Sequence, residues 1–133
     1  MAIDFRGPME RALLKIEKAV VDEINSGVPP PNAPSTIKAK KSSKTLIDSG
    51  EMLKHVDHKI TGQGANLAGE VGFFDEENAE KARWNEYGTK DGTKDGHIPA
   101  RPFLRPAWDK SSEEAIDQMA EEVFAQVEKE LGW

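Results

Sequence analysis

Two histidines and an aspartate stand close together at residues 55–58, where the sequence reads His-Val-Asp-His. Imidazole and carboxylate are common zinc ligands, but a site needs at least three of them to converge. We predict a β-strand here, and on a strand His55 and His58 point to opposite faces, with Asp57 on the face of His55. The spacing therefore argues against a metal site, and we expect neither a metal nor another cofactor.

Other patterns that support catalysis are missing from the sequence. The repeat TKDGTKDG at 89–96 contains two Asp-Gly pairs, which favour turns, and lacks the glutamate that completes a calcium-binding loop. The chain has no cysteine, phosphate-binding loop, dinucleotide fingerprint or nucleophile elbow. We therefore expect a protein that is not an enzyme.

Charge is distributed unevenly along the 133 residues. The net charge is −6, and residues 109–133 account for all of it with eight acids against two lysines. A segment without acids, between residues 33 and 47, carries a basic cluster: Lys38, Lys40, Lys41 and Lys44. An acidic end and a basic segment favour head-to-tail association of copies, although any one of these charges is more often simply solvated.

The same lysines bear on nucleic-acid binding. Four lysines neutralise a few phosphates, which gives weak and salt-dependent contact. No aromatic side chains are interleaved with them, and the acidic end repels the same ligand. We expect no specific nucleic-acid binding, and the alternative that stays open is a small accessory module that binds DNA or a regulatory partner through this segment.

Apolar periodicity predicts two long helices. The first runs from Pro8 to about Ser26, and its apolar side chains recur every three or four residues: Leu13, Ile16, Val20 and Ile24. The second begins at Pro106 or at Ser111, where Ser111 and Glu114 match a capping box. Its stripe follows the same spacing: Ile116, Met119, Ala120, Val123, Phe124, Val127 and Leu131.

The segment between these helices predicts a small antiparallel sheet. Alternating apolar residues indicate a hairpin at about 54–74 with its connection at 61–66, and a shorter helix follows from Glu76 to Tyr87, ended by Gly88. A further strand is possible around residues 97–101. The chain is therefore expected to be α+β, with a long N-terminal helix and a long C-terminal helix packed on the sheet.

The length fits a single domain over residues 1–133, interrupted by two segments that we expect to be flexible. Residues 28–45 contain four prolines and four lysines and predict a flexible arm, and residues 89–97 form the Asp-Gly loop. No apolar run approaches the roughly 20 residues needed to span a bilayer, and the N-terminus lacks the pattern of a signal peptide. We expect a cytoplasmic product that does not contact a membrane.

Residues 98–106, IPARPFLRP, combine three prolines with two arginines and large apolar side chains. Each proline restricts its own φ and that of the residue before it, so the segment loses little backbone entropy on docking. We expect Phe103 and Leu104 to be core anchors. Arg101 and Arg105 are expected to donate hydrogen bonds to backbone carbonyls or to carboxylates of the acidic helix.

Four blocks in this order resemble a family of small tail-completion or head-to-tail joining (neck) proteins of tailed bacteriophages, which includes minor tail and virion morphogenesis proteins. The blocks are TLIDSGEMLKHV at 45–56, VGFF at 71–74, WNEYGT at 84–89 and IPARPFLRPAW at 98–108. The stretch PPNAPSTIKAKKSSKT is similar to the loop that precedes the first block in that family. The tandem TKDGTKDG looks like a local insertion between the last two blocks.

The resemblance implies a structural virion protein, encoded by a phage or prophage and assembled in the cytoplasm of the bacterial host. Such a protein joins with copies of itself, as a ring, and with neighbouring head, neck and tail proteins, and its fold is similar to that of small tail terminators. The resemblance also implies anchor or interface roles for Trp84, Tyr87, Arg101, Phe103 and Arg105. It makes the lysines an assembly arm: Lys38, Lys40, Lys41 and Lys44.

Overall fold

The computed structural model describes residues 2–26, 53–88 and 100–132. The elements in chain order are helix α1 (Arg6–Ser26), strands β1 (Asp57–Gln63) and β2 (Asn66–Gly72), helix α2 (Glu76–Tyr87) and helix α3 (Leu104–Leu131). A hairpin packed by N-terminal and C-terminal helices confirms the predicted α+β class. The predicted arm at 28–45 and the predicted loop at 89–97 lie outside the described residues.

Helix α1 forms because one of its faces is apolar along its whole length. The buried side chains follow helical spacing: Ala12, Leu13, Ile16, Val20 and Ile24. The helix begins two residues before the predicted Pro8, because the Asp4 carboxylate accepts a hydrogen bond from the Gly7 N–H at 3.1 Å. Pro8 lies in the first turn, where the absence of an N–H leaves no helical bond unmade.

The two strands pair in antiparallel register, with His58 opposite Val71 and a connection of only two residues. The connection is shorter than the predicted 61–66 because residues 61–63 pair with residues 66–68. Gly62 has a φ of +92°, and a Cβ there would lie 1.9 Å from the Asn66 carbonyl oxygen. A Cβ on Gly69 would lie 2.9 Å from the Leu13 side chain. Strand β2 therefore lies directly against α1.

Helix α2 begins and ends at the predicted residues. The Asp75 side chain accepts a hydrogen bond from the Asn78 N–H at 2.9 Å and caps the N-terminus. At the other end Gly88 has a φ of +76°, and its N–H donates to the Trp84 carbonyl.

Helix α3 begins at Leu104, earlier than the predicted Pro106 or Ser111. The predicted capping box is wrong: Ser111 is buried within the helix, and its hydroxyl donates to the Ala107 carbonyl at 2.6 Å. The carboxylate of Glu114 accepts a hydrogen bond from Lys15 instead. The helix extends further back because a side chain of α2, Glu86, supplies the acceptors at its N-terminus.

Helices α1 and α3 pack antiparallel. Their contacts run in opposite order along the chain: Arg11 with Glu122, Lys15 with Glu114, and Glu23 with Lys110. The buried residues of α3 are small and one turn apart, which allows close approach of the two helices: Ala107, Ser111 and Ala115.

The core lies between α1, the hairpin and α3, and α2 closes one end of it. The larger buried cluster consists of Val20, Ile24, Val56, Ala82, Phe103 and Ala107. The smaller cluster consists of Ala12, Ile16 and Ala115. Because four of these nine side chains are alanines, the core formed by the described residues buries few large apolar groups.

The third strand predicted around 97–101 is absent from the part of that range that the structure describes. Residues 97–99 lie outside the described ranges, Ala100 and Arg101 are not in a strand, and the sheet of the described residues has two strands. No helix in the ranges 2–26, 53–88 and 100–132 has both the length and the apolar character needed to cross a membrane.

Candidate functional site

The five residues predicted as anchors or interface lie at or near the junction between α2 and α3. Phe103 is fully buried, and its ring meets the edge of the Phe73 ring at a centroid distance of 6.0 Å. Trp84 and Tyr87, near the C-terminus of α2, are 41% and 79% exposed. The structure therefore places Phe103 in the core and the other two aromatic residues on the surface.

The two arginines flank the same junction. The backbone N–H of Arg101 donates to the Asn85 carbonyl, which ties the proline-rich segment to the end of α2. The guanidinium of Arg105 is exposed, and it has no ion-pair partner among the described residues. Two acids of α3 pair with α1, since Glu114 lies 3.1 Å from Lys15 and Glu122 lies 3.0 Å from Arg11.

A buried carboxylate that the sequence did not single out joins α2 to α3. Glu86 Oε1 accepts hydrogen bonds from the N–H groups of Phe103 and Leu104, both at 2.9 Å, and Oε2 accepts one from the Arg105 N–H at 3.2 Å. Pro106 has no N–H, and the Ala107 N–H donates to the Phe103 carbonyl. Every N–H at the start of α3 therefore has a partner, and the helix dipole favours the negative charge there.

The sequence places an acid where the helix dipole is unfavourable, and only the structure shows why. Glu86 is the next-to-last residue of α2, where the dipole of its own helix disfavours an acid. It is nevertheless only 8% exposed. Helix α3 begins without a capping side chain of its own. The carboxylate of Glu86, in the last turn of α2, caps it instead.

A cavity of about 330 Å³ opens beside Glu86, with largely apolar walls. Arg83 and Arg105 also line it, and neither guanidinium has a partner within the described ranges. We call this cavity the basic pocket and define it by six residues: Phe73, Ala79, Arg83, Tyr87, Leu104 and Arg105. Apolar walls next to unpaired guanidinium groups suit an apolar ligand that carries negative charge.

The second half of α3 has an exposed apolar face. We call it the α3 stripe, and its residues are Ile116, Ala120, Phe124 and Leu131. Phe124 is 54% exposed and Leu131 is 47% exposed. Part of the stripe enters an apolar groove of about 380 Å³ between α3, the start of α1 and the tip of the hairpin, which is also lined by Phe5, Met9, Leu67, Met119 and Val123.

An acidic face runs along α3 beside the stripe. A shallow surface depression there is lined mainly by carboxylates: Asp109, Glu113, Glu114, Asp117, Glu121 and Glu122. Two of these acids are held by α1, since Arg11 pairs with Glu122 at 3.0 Å and Lys15 with Glu114. The lysines predicted to form an assembly arm lie outside the described residues: Lys38, Lys40, Lys41 and Lys44.

His58 lies on β1 between two carboxylates of α1. Its Nδ1 is 2.7 Å from Glu17 Oε2 and its Nε2 is 3.4 Å from Glu10 Oε1. The hydrogen bond with Glu17 outweighs the effect of burial, and with Glu10 and Asp57 it raises the pKa of His58 above the ordinary 6.5. Both ring nitrogens donate in the charged form, so this cluster is an ion pair between the hairpin and α1.

The same cluster corrects the expectation about metal ligands. Asp57 lies with His58, at 3.9 Å from its Nδ1, and not with His55, which pairs with Asp75 at 3.3 Å. The reason is that β1 begins only at Asp57, so His55 is not on the strand. Ligand atoms of Glu17, Asp57 and His58 lie within 4.8 Å of one another. The neighbouring carboxylates favour the charged form of His58, and in that form both ring nitrogens carry a proton.

Comparison of the chain with protein-family models, with curated protein sequences and with solved structures found no match. The resemblance of the sequence blocks to bacteriophage proteins stays a prediction, and so does the likeness to tail terminators.

Proposed function

We propose that the protein is a structural component of a tailed bacteriophage or prophage that takes part in tail completion or head-to-tail joining. It acts by binding copies of itself and neighbouring head, neck or tail proteins. The phage assignment is supported by the ordered sequence blocks, and the assembly role is supported by the surface of the folded chain.

The observation that carries the assembly role is the balance between buried and exposed apolar side chains. More of the large ones are exposed than buried among the described residues. The exposed set is Leu14, Phe74, Trp84, Tyr87, Trp108, Ile116, Phe124 and Leu131, and the buried set is Leu13, Ile16, Val20, Ile24, Val56 and Phe103. Four of the eight exposed groups lie on α3. Exposed apolar surface of this extent is typical of a protein whose apolar surface is covered by partners.

The charge distribution supports binding between unlike surfaces. The acidic face of α3 repels its own copy, whereas it attracts a basic surface such as the lysine segment of a neighbour. Unlike surfaces that meet between copies form heterologous contacts, which close into rings when the rotation allows. The alternative of a DNA-binding accessory module has less support, because the acidic face repels phosphates.

Deletion of the coding sequence from the phage or prophage that carries it tests this function. We expect the infectious titre to fall by several orders of magnitude, with filled heads and tails visible by electron microscopy but not joined, or with tails left incomplete. A plasmid copy should restore the titre, and a copy with the exposed Lys59→Ala substitution serves as a matched control that also restores it. Joined, infectious particles from the deletion strain would contradict the proposal.

A further inference from the structure

We propose that the basic pocket of one copy binds the C-terminal end of α3 from a second copy. Leu131 enters the pocket, and Glu128 and Glu130 face Arg83 and Arg105. This inference rests on the proposed function, because it states which surfaces meet when copies of the chain assemble.

Charge and polarity match between the two surfaces. The pocket offers an apolar wall and two exposed guanidinium groups without partners among the described residues. The carboxylate of Glu86 also lines it, but both of its oxygens already accept backbone hydrogen bonds at the start of α3. The end of α3 offers an exposed leucine with glutamates one and three residues before it, and neither glutamate forms an ion pair within the described ranges. Arginine and carboxylate form strong charge-assisted hydrogen bonds when both are withdrawn from water.

The two surfaces lie at opposite ends of the same helix. Leu104 and Arg105 in the pocket are at the N-terminus of α3, and Leu131 is its last residue. Twenty-eight residues at about 1.5 Å each separate these ends by roughly 40 Å. One copy therefore cannot fill its own pocket, and the contact between copies is heterologous and continues from copy to copy.

Pairing of two α3 stripes with each other is less favourable. The stripe borders the acidic face, so two α3 helices side by side bring like charges together. The basic pocket has the opposite charge and lies next to the exposed ring of Tyr87, which adds aromatic surface to the contact.

Disulfide trapping tests the contact directly, because the natural chain has no cysteine. One variant carries Ala79→Cys in the pocket wall, and the other carries Gly132→Cys. A new Cβ on residue 132 meets open space, and its φ of +72° confines the backbone strain to the residue that follows the last turn of α3. Mixed at about millimolar concentration under mild oxidation, they should form a mixed dimer at least tenfold faster than Gly132→Cys forms one with Ala68→Cys on the exposed face of β2. Equal rates for the two mixtures would overturn the proposal.

Two charge variants determine the direction of the contact. The pocket variant is Arg83→Ala with Arg105→Ala, and the tail variant is Glu128→Lys with Glu130→Lys. The mixed dimer should form when the tail variant carries Ala79→Cys and the pocket variant carries Gly132→Cys, because the intact pocket then meets the intact tail. The mixed dimer should be lost when the pocket variant carries Ala79→Cys and the tail variant carries Gly132→Cys, because both contacting surfaces are then altered. The control Lys54→Ala with Lys59→Ala removes two exposed cations elsewhere and should change nothing.

The outcome separates this contact from the proposed function. Absence of the mixed dimer, together with unjoined heads and tails in the deletion strain, leaves the function standing and removes this contact. A rapid mixed dimer together with normal particles from the deletion strain leaves the contact standing and removes the function.

Discussion

The two ends of α3 differ in the burial of their apolar side chains and in the partners of their backbone N–H groups. At the N-terminal end, Phe103 is fully buried and the carboxylate of Glu86 accepts three backbone hydrogen bonds. Toward the C-terminal end, Phe124 and Leu131 are about half exposed. At the first end, the contact between Glu86 and residues 103–105 sets the position of the helix, and we call this contact the joint. The second end leaves apolar side chains exposed.

The joint also connects two of the sequence blocks. Glu86 belongs to WNEYGT, and the N–H groups that it binds belong to IPARPFLRPAW. The proline-rich block is therefore an internal brace whose backbone is held by α2. Its exposed Arg105 and the neighbouring Arg83 line the basic pocket, and neither guanidinium has an ion-pair partner among the residues that the structure describes.

Replacing one phenylalanine at each end gives the largest expected contrast. Phe103→Ala leaves a cavity in the core and should lower the free energy of unfolding by about 3–5 kcal/mol. Phe124→Ala removes an exposed ring and should change it by less than about 0.5 kcal/mol. Urea unfolding followed by circular dichroism measures both. Similar losses of unfolding free energy in the two variants would show that the two ends of α3 do not differ in burial.

The Glu86 carboxylate gives the next largest effect. Glu86→Ala leaves the N–H groups of Phe103, Leu104 and Arg105 without their acceptor, and should lower the free energy of unfolding by roughly 2–4 kcal/mol. Glu86→Gln keeps one acceptor oxygen and should lose about half as much.

Hydrogen exchange sharpens this result. The Leu104 and Arg105 amides should exchange faster in Glu86→Ala, whereas amides near Phe124 should be unaffected. Glu121→Ala, in the exposed acidic face of the same fold, is the matched control and should leave stability within about 0.5 kcal/mol of the natural chain. An equal loss in Glu121→Ala would show that the buried position of Glu86 is not the cause.

The smallest expected effect on the free energy of unfolding comes from His58, which pairs with Glu17 and Glu10 of α1. Because its pKa is raised in the folded state, the folded protein binds the proton more tightly than the unfolded chain. Its contribution is therefore complete below about pH 6.5 and is lost as the pH rises through the folded pKa. For a partly exposed pair we expect on the order of 1 kcal/mol or less.

Urea unfolding between pH 5.5 and pH 9 measures this contribution as the difference between the natural chain and His58→Gln. The difference should be largest at the acid end and should shrink as the pH rises. His55→Gln is the matched control, because His55 pairs with Asp75 outside the strand and contacts neither Glu10 nor Glu17 in the described structure. A difference that grows with pH would contradict the assignment of the proton to His58.

Local sequence patterns were sufficient to predict the helices and strands, but not the contacts between them. The spacing of Leu13, Ile16, Val20 and Ile24 predicted α1, and the alternation in 54–74 predicted the hairpin. Ser111 was a wrong start for α3, because its match to a capping box is a local pattern that burial against α1 overrides. The exposure of Tyr87 and the burial of Phe103 likewise depend on packing, since both are aromatic residues and residue type alone does not distinguish them.

What the amino-acid sequence established was the order of the helices and strands, the unequal charge of the two parts of the chain and the periodic apolar face of α3. These properties depend on residues that are near one another along the chain. Tertiary structure alone decided that Glu86 caps α3 from 17 to 19 residues away, that Arg83 and Arg105 share one pocket, and that Asp57 lies with His58. Hydrogen bonds and charges act over a few ångströms in space, and only the folded backbone brings these distant groups within that range.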